Sequence, residues 1–194
     1  MSTITRLATQ SPPMDDSELA SRARSDAEAF AELYRRHVTR VYRYHMAHAG
    51  NTKDAEDLTS QTFVAALESL RSYRGSGSFA AWLLGIAMRK RALFFRSHQR
   101  AEMPLDAAND IADAGLSTDN AAISRMQLDQ VRRAMRQLSP DRAEAIALYF
   151  FAGLDYLEAG RALGKSEAAV KMLVSRGLYD LRTRTSLSLE AQDE

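Results

Sequence analysis

Apolar residues recur at steps of three and four along most of this chain, the spacing that places them on one face of an α-helix. The period-two alternation of a half-buried strand does not occur, and no internal repeat is visible. The sequence therefore predicts an all-α fold. One of the clearest stripes lies near the C-terminus, and its members are Val170, Leu173, Val174, Leu178 and Leu181.

Capping residues and glycines divide the first half of the chain into helices. Residues 15–24 are expected to form a short helix. Ser25 and Glu28 have the spacing of a capping box and are predicted to open a long helix that ends near His48. A third helix is predicted over about residues 53–72.

A Gly-Ser-Gly turn at residues 75–77 precedes a fourth helix, which Ser78 caps. Basic and aromatic residues alternate here, a combination suited to unpaired nucleic acid because bases stack on rings and phosphates pair with cations. Tyr73 and Arg74 precede the turn and are expected to be exposed. The inward face of this helix, which ends near residue 98, is predicted to contain Phe79, Trp82, Leu83, Ile86, Leu93 and Phe94.

Residues 101–120 lack periodicity and are rich in Ala, Asp and Asn. They are predicted to form a flexible acidic linker between two small helical domains. Asn120 is predicted to cap the next helix, which is expected to end at Leu138. Ser139 followed by Pro140 is a restart signal, because serine is predicted to cap the new helix and proline is favoured at its first position. The helix that begins there is expected to end near residue 153.

The segment Leu154–Leu181 predicts two helices joined by a tight turn. Asp155 and Glu158 have capping-box spacing, Gly164 ends the first helix, and Ser166 caps the second. The buried side of the first helix is predicted to contain Leu157, Ala159 and Leu163.

A helix–turn–helix places its second helix in the DNA major groove, with polar and basic side chains on the outer face. Here that face carries Lys171, Ser175 and Arg176. An ordinary helical hairpin with a solvated basic face fits the local pattern equally well. The rest of the chain has to decide between these two interpretations.

The length of 194 residues suits one large domain or two small ones. Apolar residues make up 45%, yet no run approaches the roughly 18 that a membrane-spanning helix needs. The N-terminus lacks the apolar core of a signal peptide. Cysteine is absent, which excludes disulfides. These features predict a cytoplasmic protein that does not enter a membrane.

The net charge of +1 hides a segregation of charges along the chain. Residues 71–100 contain seven basic and no acidic residues, whereas residues 102–119 contain five acidic and no basic ones. The first block is suited to phosphate and the second is repelled by it. A nucleic acid is therefore an expected partner of the basic block.

Candidate catalytic chemistry is sparse. His45 and His48 are three residues apart, with Asp54 and Glu56 shortly after, and they suggest a metal pair. That spacing is common by chance, and solvated or half-buried histidines explain it more simply. No Gly-rich phosphate loop or nucleophile elbow is present. The sequence predicts no metal, no cofactor and no enzymatic activity, and a metal-dependent enzyme is a distant alternative.

The third helix has a polar face that is either solvated or docks a basic partner helix. Its members are Asp54, Asp57, Gln61 and Glu68.

Together these segments resemble the extracytoplasmic-function (ECF) sigma factors, the minimal two-domain members of the bacterial sigma-70 family. The run Asp54–Phe63, DAEDLTSQTF, is similar to the family helix that binds the clamp of RNA polymerase. The run Phe79–Ala87, FAAWLLGIA, is similar to its promoter-melting helix, and Leu138–Arg182 is similar to its terminal DNA-binding domain. The order and spacing of these motifs carry the resemblance over residues 15–185.

Composition predicts a disordered N-terminus, the acidic linker and a polar tail. The resemblance implies that the first domain binds polymerase and melts the minus-ten element, and that the second is a helix–turn–helix domain that binds the minus-thirty-five element. In chain order, the predicted bounds of the N-terminus, first domain, linker, second domain and tail are 1–14, 15–100, 101–120, 121–185 and 186–194.

Three sets of contact residues follow from the resemblance. Polymerase binding is assigned to Asp54, Glu56, Asp57, Gln61 and Phe63. Contact with minus-ten DNA is assigned to Tyr73, Arg74, Ser78, Phe79, Trp82, Arg89 and Lys90. Contact with minus-thirty-five DNA is assigned to Ser166, Ala168, Ala169, Lys171, Met172, Ser175 and Arg176. The implied partners are core RNA polymerase, through its β′ clamp and β flap, promoter DNA and, as for many members, an anti-sigma factor.

Five residues depart from the family pattern. Met88 and Arg89 replace a usual Arg-Asn pair, and Leu93 replaces a usual Asp. Gly160 stands where alanine is usual, at an intrinsic helix cost of about 1 kcal/mol. Met172 occupies a basic or Ser position. The promoter sequence therefore does not carry over from relatives.

Two other interpretations remain. A self-sufficient helix–turn–helix regulator would explain residues 138–182 but not the polar face of the third helix or the aromatic-basic turn. A protein-interaction adaptor would use the helices as docking faces and bind no DNA.

Overall fold

The computed structural model describes residues 14–49, 51–75, 77–101 and 133–190. Within these ranges every regular element is a helix, so the predicted all-α fold is confirmed. None of these helices is both long and apolar enough to cross a bilayer. Residues 1–13, residues 102–120 of the predicted linker and most of the helix expected from Asn120 lie outside the described residues, whereas residue 101 still belongs to a helix.

The first four helices pack into one unit, which we call the N-terminal body. They are α1 (Asp16–Arg22), α2 (Ala27–Ala49), α3 (Thr52–Ser69) and α4 (Phe79–Ala101), with a 3₁₀ turn at Leu70–Ser72. Their apolar faces meet in a core that includes Leu33, Val41, Leu58, Leu83 and Leu84, each fully buried. The predicted helices over this part of the chain are confirmed to within a few residues.

The start of α2 differs from the prediction. The Asp26 carboxylate accepts hydrogen bonds from the backbone N–H groups of Glu28 (3.0 Å) and Ala29 (3.4 Å). The predicted Ser25–Glu28 capping box is therefore wrong, because Asp26 lies one residue nearer the helix and takes the capping position. Ser78 behaves as predicted, since its hydroxyl accepts from the N–H of Ala81 at 3.4 Å.

The second unit, the C-terminal body, follows a helical turn at residues 133–136. It contains α5 (Pro140–Ile146), a π-helical turn (Ala147–Phe151), α6 (Tyr156–Leu163) and α7 (Glu167–Glu190). Pro140 begins α5 as predicted. The α-helix predicted to reach residue 153 ends earlier, because the backbone hydrogen bonds change to the i→i+5 pattern of a π-helix after Ile146. Ser139 precedes α5 without a capping hydrogen bond from its side chain, so that part of the restart prediction is wrong.

The hairpin of α6 and α7 forms as its capping residues predict. Asp155 accepts from the N–H of Glu158 at 2.7 Å, and Glu158 accepts from the N–H of Asp155 at 3.1 Å. Gly164 ends α6 with φ 64°, in the left-handed region that glycine favours. The Ser166 hydroxyl accepts from the N–H of Ala169 at 3.2 Å and caps α7.

Gly160 lies where the turn between α6 and α7 folds back onto α6. A β carbon at this position would lie 2.7 Å from the carbonyl oxygen of Lys165. The N–H of Lys165 donates to the Gly160 carbonyl at 2.9 Å, so the contact is backbone against backbone. The helix cost expected for this glycine is offset by a close approach that alanine would prevent.

Three leucines predicted to face inward are exposed instead. Leu93, Leu157 and Leu178 are 58%, 47% and 42% exposed. In α7 the reason is Gly177, which is buried against Ile146 of α5 so closely that a β carbon would lie 2.6 Å from the isoleucine Cδ1. Because α5 packs against Gly177, the buried face of α7 passes through that glycine and the next residue turns outward.

His45 is fully buried, so the expectation of a solvated or half-buried ring is wrong for it, whereas His48 is half-buried as expected. His45 has no exposed surface, and its Nε2 lies 2.9 Å from the hydroxyl oxygen of Thr62. Burial lowers the pKa of His45 to about 3, and burial also holds the pKa of His48 well below its usual value. Both rings are therefore neutral at neutral pH.

Gly160→Ala should lower the free energy of unfolding by about 1–3 kcal/mol, since the new methyl group would lie 2.7 Å from the backbone carbonyl oxygen of Lys165. Gly85→Ala is the matched control. A β carbon there meets nothing within 4 Å, so the same change inside α4 should stabilise the protein by about 0.5–1 kcal/mol. Urea titration of both variants measures the difference, and equal effects would contradict the close approach.

The histidines predict acid sensitivity. His45 has a folded pKa of about 3 and an unfolded value near 6.5, so the unfolded chain gains a proton first as the pH falls. Stability should be complete above pH 6.5 and fall by up to about 1.4 kcal/mol per pH unit below it from this ring alone. His45→Gln should reduce the slope of unfolding free energy against pH between 6.5 and 5 by about that amount. An unchanged slope in chemical denaturation would show that the ring is not buried.

Candidate nucleic-acid and protein interfaces

The outer face of α3 presents the residues predicted to bind polymerase. Asp54 is half-buried at the helix start, and Glu56, Asp57 and Gln61 are exposed. Asn51 fixes that start, because its amide accepts from the N–H of Asp54 and donates to the Asp54 carboxylate, both at 2.8 Å. The result is a rigid helical face with polar and acidic side chains.

Phe63, also predicted as a polymerase contact, points the other way. It is 5% exposed, and its ring packs edge-on against Tyr34 at 4.7 Å between centroids. Phe63 therefore lies in the core, where it anchors the polar face of α3 from beneath.

The turn before α4 rests on three aromatic rings. Tyr73 and Phe79 are 4% and 2% exposed, and Trp82 is half-buried. Their ring centroids lie 5.3–5.4 Å apart. The Tyr73 hydroxyl donates to the carbonyl of Gly77 at 2.9 Å, which ties the ring to the turn.

The predicted exposure of Tyr73 is therefore wrong, because its ring fills the space under the turn and its hydroxyl is held there. The inward positions predicted for Phe79 and Trp82 are confirmed in part, since Phe79 is core and Trp82 is only half-buried. Arg74 is exposed as predicted, and Ser78 is half-buried.

Along α4 the basic side chains reach solvent beside α3. Arg89 is exposed and Lys90 is half-buried. An open groove of about 530 Å³ separates the two helices here, and its lining residues are Gln61, Lys90, Leu93, Phe94, Arg96 and Ser97. The groove brings the polar face of α3 and the basic face of α4 onto one side of the N-terminal body.

The seven positions predicted to contact minus-thirty-five DNA share one side of the α6–α7 hairpin. Six are exposed, Ala169 being half-buried, and the exposed ones are Ser166, Ala168, Lys171, Met172, Ser175 and Arg176. Val170 and Val174 face the opposite way and are 0% and 2% exposed. The buried valines fix the rotation of α7, so its polar and basic side stays available.

A buried polar cluster that the sequence did not predict joins the two bodies. Glu144 of α5 is 6% exposed and lies against Tyr44, His48 and Arg91 of the N-terminal body. The Tyr44 hydroxyl donates to Glu144 Oε1 at 2.5 Å, and Arg91 Nη2 donates to Glu144 Oε2 at 2.5 Å. Arg91 Nη1 lies 2.9 Å from His48 Nδ1. We call these four residues the Glu144 cluster.

Burial dominates the electrostatics of this cluster. It raises the pKa of Glu144, against the opposing influence of Arg91, and raises the pKa of Tyr44 well above its usual value. One sequence signal could have pointed to Glu144, since it is the single charged residue between Arg142 and Asp155. A lone charge in an apolar helical run needs a buried partner, but the sequence does not say which residue supplies it.

Over residues 14–49, 51–75, 77–101 and 133–190, no group of three or more His, Cys, Asp or Glu side chains is arranged to hold a metal ion. His45 and His48 instead contact Thr62 and Arg91.

Comparison with known proteins gives two family matches. Residues 33–101 match the model of sigma-70 region 2, and residues 128–181 match the model of sigma-70 region 4. The chain is 31% identical over 157 residues to the RNA polymerase sigma factor CarQ of Myxococcus xanthus, covering 80% of this chain and 88% of CarQ.

A second relative is longer than this chain. The ECF RNA polymerase sigma factor BldN of Streptomyces coelicolor is 34% identical over 167 residues, which cover 84% of this chain and 63% of BldN. The chain thus spans less than two thirds of that relative.

Two solved structures share the fold. CnrH in complex with the cytosolic domain of CnrY matches with a TM-score of 0.67 at 23% identity, over 89% of this chain and 97% of CnrH. The sigma factor RpoE of Bartonella quintana, solved with the anti-sigma factor NepR, matches with a TM-score of 0.61 at 23% identity, over 80% of this chain and 96% of RpoE.

Proposed function

Because this chain belongs to the ECF sigma factors of the sigma-70 family, we propose that it binds core RNA polymerase, directs it to promoters and opens the minus-ten element. The observation that carries the proposal is the pairing of two family regions in one chain, each with an exposed face of suitable chemistry. Such a protein supplies specificity, while the polymerase supplies the catalytic site. Its place of action is then the cytoplasm, beside the polymerase.

In the N-terminal body, the polar face of α3 binds the polymerase clamp through Asp54, Glu56, Asp57 and Gln61. A carboxylate-rich rigid helix favours a basic partner surface, and charge complementarity sets the partner and the rate of encounter. Phe63 supports that face from the core without touching the partner.

The turn at residues 73–79 and the basic helix after it hold the unpaired strand of the minus-ten element. Arg74, Arg89 and Lys90 provide cations for phosphates, and the half-buried Trp82 ring leaves part of its surface for contact with a base. Tyr73 and Phe79 position Trp82 and the turn. A base extruded from the stack costs a few kcal/mol, which polymerase binding and strand contacts offset.

In the C-terminal body, α7 enters the major groove of the minus-thirty-five element. Lys171 and Arg176 contact bases or phosphates, and Met172 and Ala169 lie where a thymine methyl group would be met. Because the body is tethered to polymerase, it can bind its element weakly on its own.

Two further partners belong to the proposal. The β flap of the polymerase is the expected partner of the C-terminal body, and an anti-sigma factor is the expected regulator. The second is supported by the shared fold with RpoE, which was solved with NepR.

Run-off transcription with core polymerase on genomic promoter fragments tests the function directly. Specific transcripts should depend on this chain, on linear or supercoiled templates. A gel shift on duplex DNA with and without core polymerase separates the stand-alone regulator, which would bind equally well in both. An adaptor would bind DNA in neither.

Asp57→Arg should abolish binding to core polymerase, because it reverses a charge in the centre of the α3 face. The weak binding of the full chain to duplex DNA in the absence of polymerase should be unchanged. Glu18→Arg is the matched control, since it makes the same reversal on an exposed position of α1. Polymerase affinity can be measured by fluorescence anisotropy, and equal losses in both variants would refute a specific role for α3.

Arg176→Ala should weaken recognition of the upstream element by roughly tenfold, the loss expected for one good contact to a base or phosphate. Core binding should be spared. Arg136→Ala removes an exposed arginine from the helical turn that precedes the C-terminal body, outside the predicted contact set, and should have little effect. If Arg176→Ala and Asp57→Arg both lose polymerase binding, or both lose only upstream-element recognition, then the two bodies do not have the separate roles that we propose.

A further inference from the structure

The two bodies are packed against each other. The π turn of the C-terminal body lies against α2, and α6 lies against α4. Buried apolar residues from both sides join one core, among them Leu148 and Leu154 from the C-terminal body and Tyr44 from α2. The two bodies therefore share a buried hydrophobic interface, and we call this packed arrangement the closed arrangement.

The Glu144 cluster is the polar centre of that interface. Its carboxylate is removed from water and receives one hydrogen bond from Tyr44 and one from Arg91, at 2.5 Å each. The Arg91 guanidinium also lies 6.0 Å from the centre of the Tyr44 ring, so the two groups from α2 and α4 converge on one carboxylate. A buried charge that loses its partner is strongly unfavourable, so this contact ties the position of α5 to the N-terminal body.

In the closed arrangement the C-terminal body lies over the turn at residues 75–78, which is proposed to hold the minus-ten strand. Arg161 of α6 lies beside Gly77, where a β carbon would be 3.3 Å from its Nη1 atom. Gly77 is also the residue whose carbonyl accepts the Tyr73 hydroxyl. A side chain of the C-terminal body thus occupies the space next to the proposed strand-binding turn.

In the closed arrangement the chain is also too compact to contact both promoter elements at once. Elements centred near minus ten and minus thirty-five are separated by about 25 base pairs, or about 85 Å of duplex at 3.4 Å per base pair. A compact chain of this length has a radius of gyration of only about 16 Å. With Arg161 against Gly77, and α7 beginning soon after α6, the two DNA-binding faces are too close together to reach both elements.

We propose that Glu144 is a latch that holds the free protein closed, with Arg161 over the turn at residues 75–78, and that engaging a promoter requires the latch to open. The inhibitory consequence rests on the proposed function, whereas the latch itself rests on the interface alone. When the latch opens, the Glu144 carboxylate loses its contacts with Tyr44 and Arg91, and all three groups form hydrogen bonds with water instead. The same movement exposes the turn at residues 75–78 and the surface of α4.

The test is the distance between the bodies in the full chain. Since the protein contains no cysteine, Glu18→Cys and Tyr179→Cys on the two exposed surfaces allow specific labelling with a fluorophore pair. The wild-type background should show a single state of high energy transfer. Glu144→Gln, which has nearly the same shape but turns one acceptor oxygen into a donor, should shift the ratio of closed to open molecules by at least about tenfold towards open.

Asp141→Asn is the matched control, because it makes the same change one helical turn earlier in α5 on an exposed carboxylate that pairs with Lys165 inside the C-terminal body. It should leave energy transfer unchanged. Tyr44→Phe approaches the latch from the other body by deleting one hydroxyl and should also favour the open form. Circular dichroism establishes that each variant is folded, and Tyr44→Phe serves alone if Glu144→Gln does not fold.

Two results would overturn the latch. The first is low energy transfer in the labelled protein without a change in the Glu144 cluster, and the second is the same energy transfer in the Glu144→Gln, Tyr44→Phe and Asp141→Asn variants. Core polymerase added to the labelled wild-type background should lower energy transfer, and unchanged transfer on a bound polymerase would overturn the required opening. The measurement without polymerase needs no transcription. A closed state that depends on Glu144 in a protein that supports no transcript would therefore retain the latch and reject the proposed function.

Discussion

The carboxylate of Glu144 is the constraint on which the arrangement of the two bodies depends. A charge in an apolar interior must be paired, and here the partners are Tyr44 from α2 and Arg91 from α4. That requirement fixes how α5 enters the interface. Because α6 and α7 follow α5 through the π turn, the same contact determines where the C-terminal body places its helices relative to the N-terminal body.

Within the C-terminal body, close approaches at two glycines set the shape of the hairpin. Gly160 lets the turn lie against α6, and Gly177 lets α5 pack against α7. Val170 and Val174 then fill the space beneath α7. With those residues fixed inside, Lys171 and Arg176 are presented together on the outer side, which is the arrangement that major-groove recognition needs.

In the N-terminal body, buried side chains support the proposed binding faces, and exposed side chains are the ones available to contact a partner. Tyr73, Phe79 and Phe63 have the composition of a binding surface in the sequence, yet all three rings are core. They hold the turn and the face of α3 from beneath, while Arg74, Asp57 and Gln61 reach solvent. An aromatic residue near a proposed binding face can therefore support that face from the core, and the fold decides which groups reach the surface.

The sequence by itself determined the helices, the cap at Ser78, the hairpin at Asp155–Ser166 with its caps, and the motifs of the family. These are local properties, since a cap or a helical stripe involves residues within a few positions of one another. The tertiary structure alone decided the outward turn of Leu178, the need for Gly160 and the burial of Tyr73. It also decided the Glu144 cluster, whose hydrogen bonds join residues 53 and 100 positions apart. Such pairings depend on how whole helices pack, and helical periodicity carries no information about which distant side chain completes a buried charge.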